Sequence, residues 1–130
     1  MDSLIFDTTF LIDFQRERAV GKGPAHAFLE RHTEDIAYLP VIACGELGEG
    51  FSSGSDPVYR SLIDSFEILP ITGRVAEHYA RITRRLRKTG MLIGANDLWI
   101  AATALERGFP LVTRNHQHFA RVPDLRTIAY

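Results

Sequence analysis

A short apolar run that ends in an aspartate opens the chain: SLIFDTTFLID, residues 3–13. Residues 3–6 of this run are typical of a buried strand in a parallel sheet. Asp7 and two threonines follow at once, and residues of these types cap helices, so we expect a helix that continues to about Gln15. The stretch therefore predicts a strand and a helix, with an aspartate at the carboxyl end of the strand.

The alternation of short apolar runs and helical patterns continues along the chain. Further strand patterns lie at residues 36–39, 66–70, 109–113 and 127–130. Further helical patterns lie at residues 25–31, 40–51, 57–64, 74–89 and 96–107. Short strands that alternate with helices indicate a parallel sheet covered on both faces. We predict a single domain, residues 1–130, folded as a three-layer α/β/α sandwich with a mostly parallel sheet of about four to five short strands.

The composition is that of an ordinary folded domain. The 130 residues carry a formal net charge of -1, with 45% hydrophobic and 24% charged residues. No stretch approaches membrane-spanning length, and the first apolar run is too short for a signal peptide. The single cysteine, Cys44, can form no internal disulfide and has no zinc-site spacing, so we expect a core residue in a cytoplasmic protein.

Three acidic residues are placed where they could meet at one edge of such a sheet. Asp7 ends the first strand, Glu46 lies in the helix after the second strand, and Asp97 lies at the start of a late helix. Ligands of parallel sheets bind beyond the carboxyl ends of the strands. Three carboxylates about 5 Å apart repel by roughly 3 kcal/mol per pair at an effective dielectric constant of about 20, so a cation must neutralise them. Mg²⁺ or Mn²⁺ fits, because both prefer oxygen ligands.

Each acidic residue also has a structural explanation. An aspartate after a strand is a common helix cap, and Asn96-Asp97 could cap the helix that follows. Glu46 falls on the side of its helix away from Val41 and Phe51, where a solvated glutamate would also lie. Glu49 is about as well placed, so spacing alone leaves the choice between the two glutamates open.

The helix predicted at residues 74–89 has two faces. Its packing face consists of Val75, Tyr79, Ile82 and Leu86. Its basic face, which could bind nucleic-acid phosphates or simply be solvated, consists of Arg81, Arg84, Arg85 and Lys88.

The histidines and large aromatic residues carry weaker signals. None of the five histidines has zinc-site spacing. His116 and His118 could contact a nucleic acid if they lie near a strand end, but we expect ordinary surface residues. Trp99 lies at a helical packing position and is expected to pack in the core, like Tyr79.

Four blocks, taken in order, carry a resemblance to a known family. They are IFDTTFLID at residues 5–13, Glu46-Leu47 with Gly50, NDLWIAATA at residues 96–104, and LVTRN at residues 111–115 with Phe119. In these blocks the chain resembles PIN-domain ribonucleases and, more narrowly, the VapC-type toxins of toxin–antitoxin pairs. The resemblance runs nearly end to end. It implies a divalent-metal-dependent endoribonuclease that hydrolyses RNA phosphodiester bonds with a metal-activated water.

The resemblance also assigns the metal ligands. It implies that Asp7, Glu46 and Asp97 ligate Mg²⁺ or Mn²⁺ and act in catalysis, and it favours Glu46 over Glu49.

Asn115 joins the catalytic residues by the same resemblance. Many family members carry a fourth acidic residue after this strand, and the missing charge puts a second tightly held metal in doubt. We expect Thr8 and Thr113 to orient carboxylates or substrate by hydrogen bonds.

Partners follow from the resemblance as well: an RNA substrate, a cognate antitoxin protein, and a second copy of the chain in a homodimer. Two other interpretations stay open. One is another magnesium-dependent phosphoryl-transfer enzyme, such as a phosphatase or a DNA nuclease. The other is a non-catalytic module that binds a partner.

Overall fold

Five parallel strands form the centre of the molecule. The computed structural model describes residues 1–130, and the strands lie in the order β3-β2-β1-β4-β5. They are β1 (Ser3–Phe6), β2 (Ile36–Pro40), β3 (Glu67–Leu69), β4 (Leu111–Val112) and β5 (Thr127–Ile128). Every neighbouring pair is parallel. The first strand of the chain therefore occupies the middle of the sheet.

Seven helices cover the two faces of this sheet. They are α1 (Thr8–Val20), α2 (Pro24–Arg31), α3 (Val41–Gly48), α4 (Pro57–Ile63), α5 (Gly73–Lys88), α6 (Ala95–Arg107) and α7 (His116–Phe119). None of them combines the length and the apolar character needed to cross a membrane.

The alternation of side chains along β1 creates two cores. Leu4 and Phe6 pack with the buried residues of α1 to α4, whereas Ile5 packs with those of α5 and α6. Each core lies on one face of the sheet, because successive strand residues point to opposite faces. The predicted three-layer α/β/α sandwich is confirmed, with an all-parallel sheet of five strands.

α5 and α6 pack side by side and run in opposite directions. Near the start of α5, His78 Nε2 lies 3.1 Å from Oε2 of Glu106, near the end of α6. The rings of Tyr79 and Trp99 stack with 3.8 Å between centroids, which confirms both as packing residues. Gly108 ends α6 in the left-handed conformation, with φ 70°, and β4 follows. Since α6 leads directly into β4, it starts at the carboxyl edge of the sheet and ends at the amino edge.

α1 is longer than the sequence predicts. It continues to Val20 instead of ending near Gln15. Its second half has no buried apolar residue, but Glu17 ties it to the start of α2. The Glu17 carboxylate accepts three backbone N–H hydrogen bonds of 2.9 Å, from Gly23, Ala25 and His26. A prediction from apolar spacing misses this extension of α1, because polar hydrogen bonds and not buried apolar side chains hold it.

α3 is shorter than predicted. It ends at Gly48, so Phe51 lies beyond it, and Val41 is 40% exposed instead of buried. Tyr59 of α4 crosses this end of the helix and donates a hydrogen bond of 3.1 Å to the carbonyl of Cys44. The buried residues of α3 are Ala43, Cys44 and Leu47, which confirms Cys44 as a core residue.

The last two strands have only two residues each, and their neighbours pack elsewhere. Phe109 precedes β4 and stacks on Tyr38, whereas Tyr130 follows β5 and packs on Phe10 with 4.8 Å between ring centroids. The four residues of α7 were not predicted as a helix, because one turn is too short to show a helical period.

Candidate active site

β1 and β4 end side by side at the carboxyl edge of the sheet. Phe6 is paired with Val112, and the N–H of Asp7 donates to the carbonyl of Val112 at 3.3 Å. One residue further along β4, the Thr113 hydroxyl donates a hydrogen bond to Oδ2 of Asp7. The two ends of the strands are thus joined by side chains that are 106 residues apart in the chain.

Asp7 caps α1 from a buried position. Its side chain is 2% exposed, and its Oδ1 accepts hydrogen bonds from the Phe10 N–H at 3.1 Å and the Thr9 hydroxyl at 2.7 Å. Burial raises the pKa of Asp7, and the nearby charge of Asp97 raises this pKa further. The hydrogen bonds lower the pKa but do not cancel the rise. Burial and the charge of Asp97 therefore make ionisation of Asp7 less favourable than that of a free aspartate, and a nearby cation would offset this.

Glu46 reaches the same place from α3. The hydroxyl of Thr8, the residue after Asp7, donates a hydrogen bond of 2.7 Å to Oε1 of Glu46. Glu49 lies one turn further on and is exposed. The structure thus distinguishes the two glutamates that spacing left open, since Glu46 contacts Thr8 and lies near Asp97, whereas Glu49 faces solvent.

Asp97 approaches from the first turn of α6. Its Oδ2 lies 3.0 Å from Nδ1 of His118, on α7. Partial burial raises the pKa of Asp97; the charge of His118 lowers this pKa, and the charge of Glu46 raises it. Because Asp97 also acts on Asp7, its carboxylate lies within charge range of both Glu46 and Asp7.

The donor set suits a hard divalent cation, although the side chains do not surround one as they stand. The carboxylates of Asp7, Glu46 and Asp97 are the oxygen ligands that Mg²⁺ and Mn²⁺ prefer. However, no three His, Cys, Asp or Glu side chains are arranged so that they could hold one ion together. Each carboxylate is held instead by a hydrogen-bond donor of the chain. Binding of an ion therefore requires the three carboxylates to come closer together.

Comparison with known proteins decides the family. The family model of the PIN domain matches residues 4–125. This chain belongs to the PIN-domain family. Ribonuclease VapC1 of Methanocaldococcus jannaschii is 30% identical to this PIN domain over 93% of the chain and 82% of its own length. Ribonuclease VapC of Rickettsia bellii is 31% identical over 96% of the chain and 94% of its own length. The predicted membership among VapC-type proteins is confirmed.

Solved structures agree with this assignment. The crystal structure of DNA-bound VapBC from Salmonella typhimurium contains a chain that superposes on this PIN domain with a TM-score of 0.86 and 25% sequence identity. The superposition covers 99% of this chain and 98% of that one. Another neighbour, VapBC-1 of nontypeable Haemophilus influenzae, superposes with a TM-score of 0.75 and 27% identity over 98% of this chain and 97% of that one.

Asn115 lies at the same edge of the PIN domain. Its backbone N–H donates a hydrogen bond of 2.9 Å to the Thr113 hydroxyl, and its side chain makes no capping hydrogen bond at the start of α7. Its amide is therefore available to a ligand. Because it is neutral, the site has one negative charge fewer than a four-acid version would have.

The predicted basic face of α5 is exposed, and its four cations line one open pocket together with Arg87. Arg81 and Arg85 line a cavity of about 360 Å³ together with Arg126 and Phe109. Phe109 precedes β4, so this cavity lies at the amino edge of the sheet, away from Asp7. The four cations thus form one basic surface, and Arg81 and Arg85 extend it toward the amino edge of the sheet.

His118 is the site residue that the sequence analysis missed. The expectation of ordinary surface histidines is wrong for it, because it contacts Asp97. His116 is also not a simple surface residue: its Nδ1 lies 3.1 Å from the Thr127 hydroxyl, and its Nε2 is buried without a partner. The sequence offered one indication of this contact: His118 lies three residues after Asn115, which the resemblance places in the site.

A second missed feature forms one wall beside Asp7. Both oxygens of the Asp13 carboxylate are bound, Oδ1 by Arg114 at 2.8 Å and Oδ2 by the Tyr130 hydroxyl at 2.6 Å. Burial raises the pKa of Tyr130, and the charges of Asp13 and Asp7 raise it further. Tyr130 therefore stays protonated and donates to Asp13, which joins the end of the chain to α1.

Proposed function

We propose that this PIN domain is a divalent-metal-dependent endoribonuclease and the toxin of a type II toxin–antitoxin pair. The observation that carries the proposal is the meeting of Asp7, Glu46 and Asp97 at the carboxyl edge of the sheet, where each charge acts on another. Relatives that cover most of the chain are named ribonucleases. The substrate class therefore comes from the family, and the chemistry comes from the acidic edge.

Mg²⁺ or Mn²⁺ would be held by Asp7, Glu46 and Asp97. When bound, the ion supplies Lewis-acid activation of a water and neutralises charge that develops on the RNA phosphate. The three side chains supply the negative charge that makes the edge favourable for a cation.

The remaining residues of the site position these groups. The Thr113 hydroxyl binds one oxygen of Asp7, and the Thr8 hydroxyl binds one oxygen of Glu46, which limits the rotamers that each carboxylate can adopt. The free amide of Asn115 is placed to orient substrate or a water. On α5, Arg84 and Lys88 are exposed cations that can contact RNA phosphates without sequence preference.

The proposal includes partners and a compartment. The neighbouring structures are VapBC assemblies, and some of them are bound to DNA. By analogy, this chain pairs with a cognate antitoxin whose amphipathic helix packs on the toxin, and it forms a homodimer. A free buried cysteine fits the reducing cytoplasm, where RNA is available.

A cleavage assay tests the function. Purified, antitoxin-free protein is incubated with cellular RNA, with and without Mg²⁺ or Mn²⁺, beside the variants Glu46→Gln and Glu49→Gln. Both substitutions remove one charge from the same region of the chain, but only Glu46 faces the site. We expect metal-dependent endonucleolytic cleavage that Glu46→Gln abolishes and Glu49→Gln leaves unchanged.

Two outcomes would contradict this function. Cleavage of single-stranded or flap DNA or of a phosphate monoester, but not of RNA, would assign the acidic edge to another phosphoryl-transfer reaction. Absence of both metal binding and cleavage would favour a non-catalytic binding module.

A further inference from the structure

His118 stands beside the acidic edge without belonging to the acidic set. Its Nδ1 lies 3.0 Å from Oδ2 of Asp97, and the two side chains are 40% and 27% exposed. A nitrogen donor at this distance holds one carboxylate oxygen. The other oxygen, Oδ1, remains for a cation.

The fold fixes the position of His118. Its neighbour Phe119 is fully buried and belongs to the same core as Leu98 and Ala101 of α6. At the other end of α7, the N–H of Asn115 is bonded to the Thr113 hydroxyl at 2.9 Å. α7 is thus anchored at both ends, and its one exposed imidazole next to α6 is presented to the first turn of that helix.

Asp97 needs such a partner more than Asp7 or Glu46 does. Asp7 is buried and bonded at both oxygens, and Glu46 is bonded to Thr8. Asp97 has no hydroxyl partner, and the neighbouring Glu46 carboxylate repels it. Without a donor on α7, this repulsion favours rotamers that turn the Asp97 carboxylate toward solvent.

We propose that His118 is a positioning residue that holds the Asp97 carboxylate in the rotamer needed for divalent-metal binding. The inference rests on the proposed function, because it assumes that Asp97 is a ligand. Hydrogen-bonding partners of ligating side chains typically contribute a factor of about 10 to 100 in metal affinity. The effect therefore belongs to metal affinity and not to RNA binding.

The test compares three variants of the full-length protein. His118→Asn keeps a side-chain donor at about the place of Nδ1, whereas His118→Leu removes it. Gln117→Ala is the matched control, since Gln117 is an exposed neighbour on the same short helix. The affinity for Mn²⁺ is measured by the electron paramagnetic resonance signal of the free ion, and kcat and KM for RNA are measured at saturating Mn²⁺.

We expect His118→Leu to weaken Mn²⁺ binding by about 10-fold to 100-fold, with kcat recovered at saturating Mn²⁺ and KM for RNA unchanged. His118→Asn should stay within about threefold of the original protein, and Gln117→Ala should match it. If His118→Leu does not fold, His118→Ala makes the same comparison, because it also removes the donor.

The outcomes separate this inference from the proposed function. If Asp97→Asn loses Mn²⁺ and His118→Leu does not, the inference is wrong and the function stands. Equal losses in His118→Leu and His118→Asn would also overturn the inference, since a donor would then make no difference. If the unsubstituted protein binds no Mn²⁺, it is the metal-dependent function that fails.

Discussion

Asp7 and Glu17 are both carboxylates that bind the start of a helix, yet their pKa values are shifted in opposite directions. Glu17 accepts three backbone N–H groups at the start of α2 and lies 2.8 Å from Nδ1 of His26. Partial burial opposes its ionisation, but these hydrogen bonds outweigh that effect and lower the pKa of Glu17 to about 2. Asp7 has one backbone donor, two hydroxyls and a carboxylate neighbour, and its pKa is raised.

This difference separates a structural carboxylate from a functional one. The chain itself satisfies the charge of Glu17, so Glu17 gains nothing from an external cation. The charge of Asp7 stays partly unsatisfied, and its neighbourhood is negative. Capping and burial do not distinguish the two residues, because both cap a helix and both are shielded from solvent. The sign of the surrounding charge does distinguish them.

The largest expected effect tests the two carboxylates against each other in catalysis. Asp7→Asn should lower metal-dependent RNA cleavage by at least about 100-fold, because it removes a charge that the transition state needs. Glu17→Gln should stay within about twofold. Rates are measured with a fixed RNA substrate at saturating Mn²⁺. A comparable loss in both variants would mean that the contrast reports folding and not function.

The next largest effect is on stability, and here Glu17 and not Asp7 is the residue whose substitution matters. Glu17→Gln should lower the free energy of unfolding at pH 7 by about 1 to 2 kcal/mol, as loss of a helix cap does. The pKa of Glu17 is depressed when folded, so its contribution is fully present above its ordinary pKa of 4.5 and is lost as the pH falls toward about 2. Urea unfolding at pH 7 and at pH 3 measures this. A difference that does not shrink at pH 3 would contradict the charge argument.

A smaller effect on stability is expected for Asp97→Asn, which should stabilise the protein where Glu17→Gln destabilises it. Its pKa is raised above the ordinary value of 3.8 in the folded chain, so the contribution of this group to stability falls as the pH rises through that raised pKa. Asp97→Asn should therefore raise the melting temperature of the metal-free protein at pH 7. Differential scanning fluorimetry in EDTA measures the shift, and Glu49→Gln, which removes an exposed charge, should leave the melting temperature unchanged.

The smallest effect is expected on α5. Reversing the charges of Arg84 and Arg85 together should raise KM for RNA by less than about tenfold and reduce its salt dependence, since these contacts are electrostatic and exposed. Arg74→Glu, at the other end of the helix, is the control. A KM equal to that of the unsubstituted protein would leave these arginines as a solvated surface.

The sequence predicted those parts of the molecule that depend on apolar periodicity. β1, α5 and the start of α6 follow from runs that are visible without coordinates, and so does the place of Asp7 at a strand end. Polar contacts between distant segments were invisible, because no local pattern encodes them. The extension of α1 depends on Glu17 reaching α2, and the role of His118 depends on a single turn of helix that Phe119 anchors.

Glu46 and Glu49 show the same limit on a smaller scale. Both lie on the outer side of one predicted helix, so spacing alone makes each an equally good candidate for the metal ligand. The choice depends on the Thr8 hydroxyl, which belongs to another helix 38 residues away in the chain. Only the family resemblance favoured Glu46 in advance.

The central place of β1 affects when activity can first appear during synthesis. Asp7 leaves the ribosome early, but the strand that completes its environment comes 106 residues later with Thr113, and His118 comes later still. A nascent chain therefore has no assembled acidic edge until Thr113 and His118 have been translated. A ribosome that has translated only β1 to β3 therefore carries Asp7 and Glu46 without the residues that complete the acidic edge.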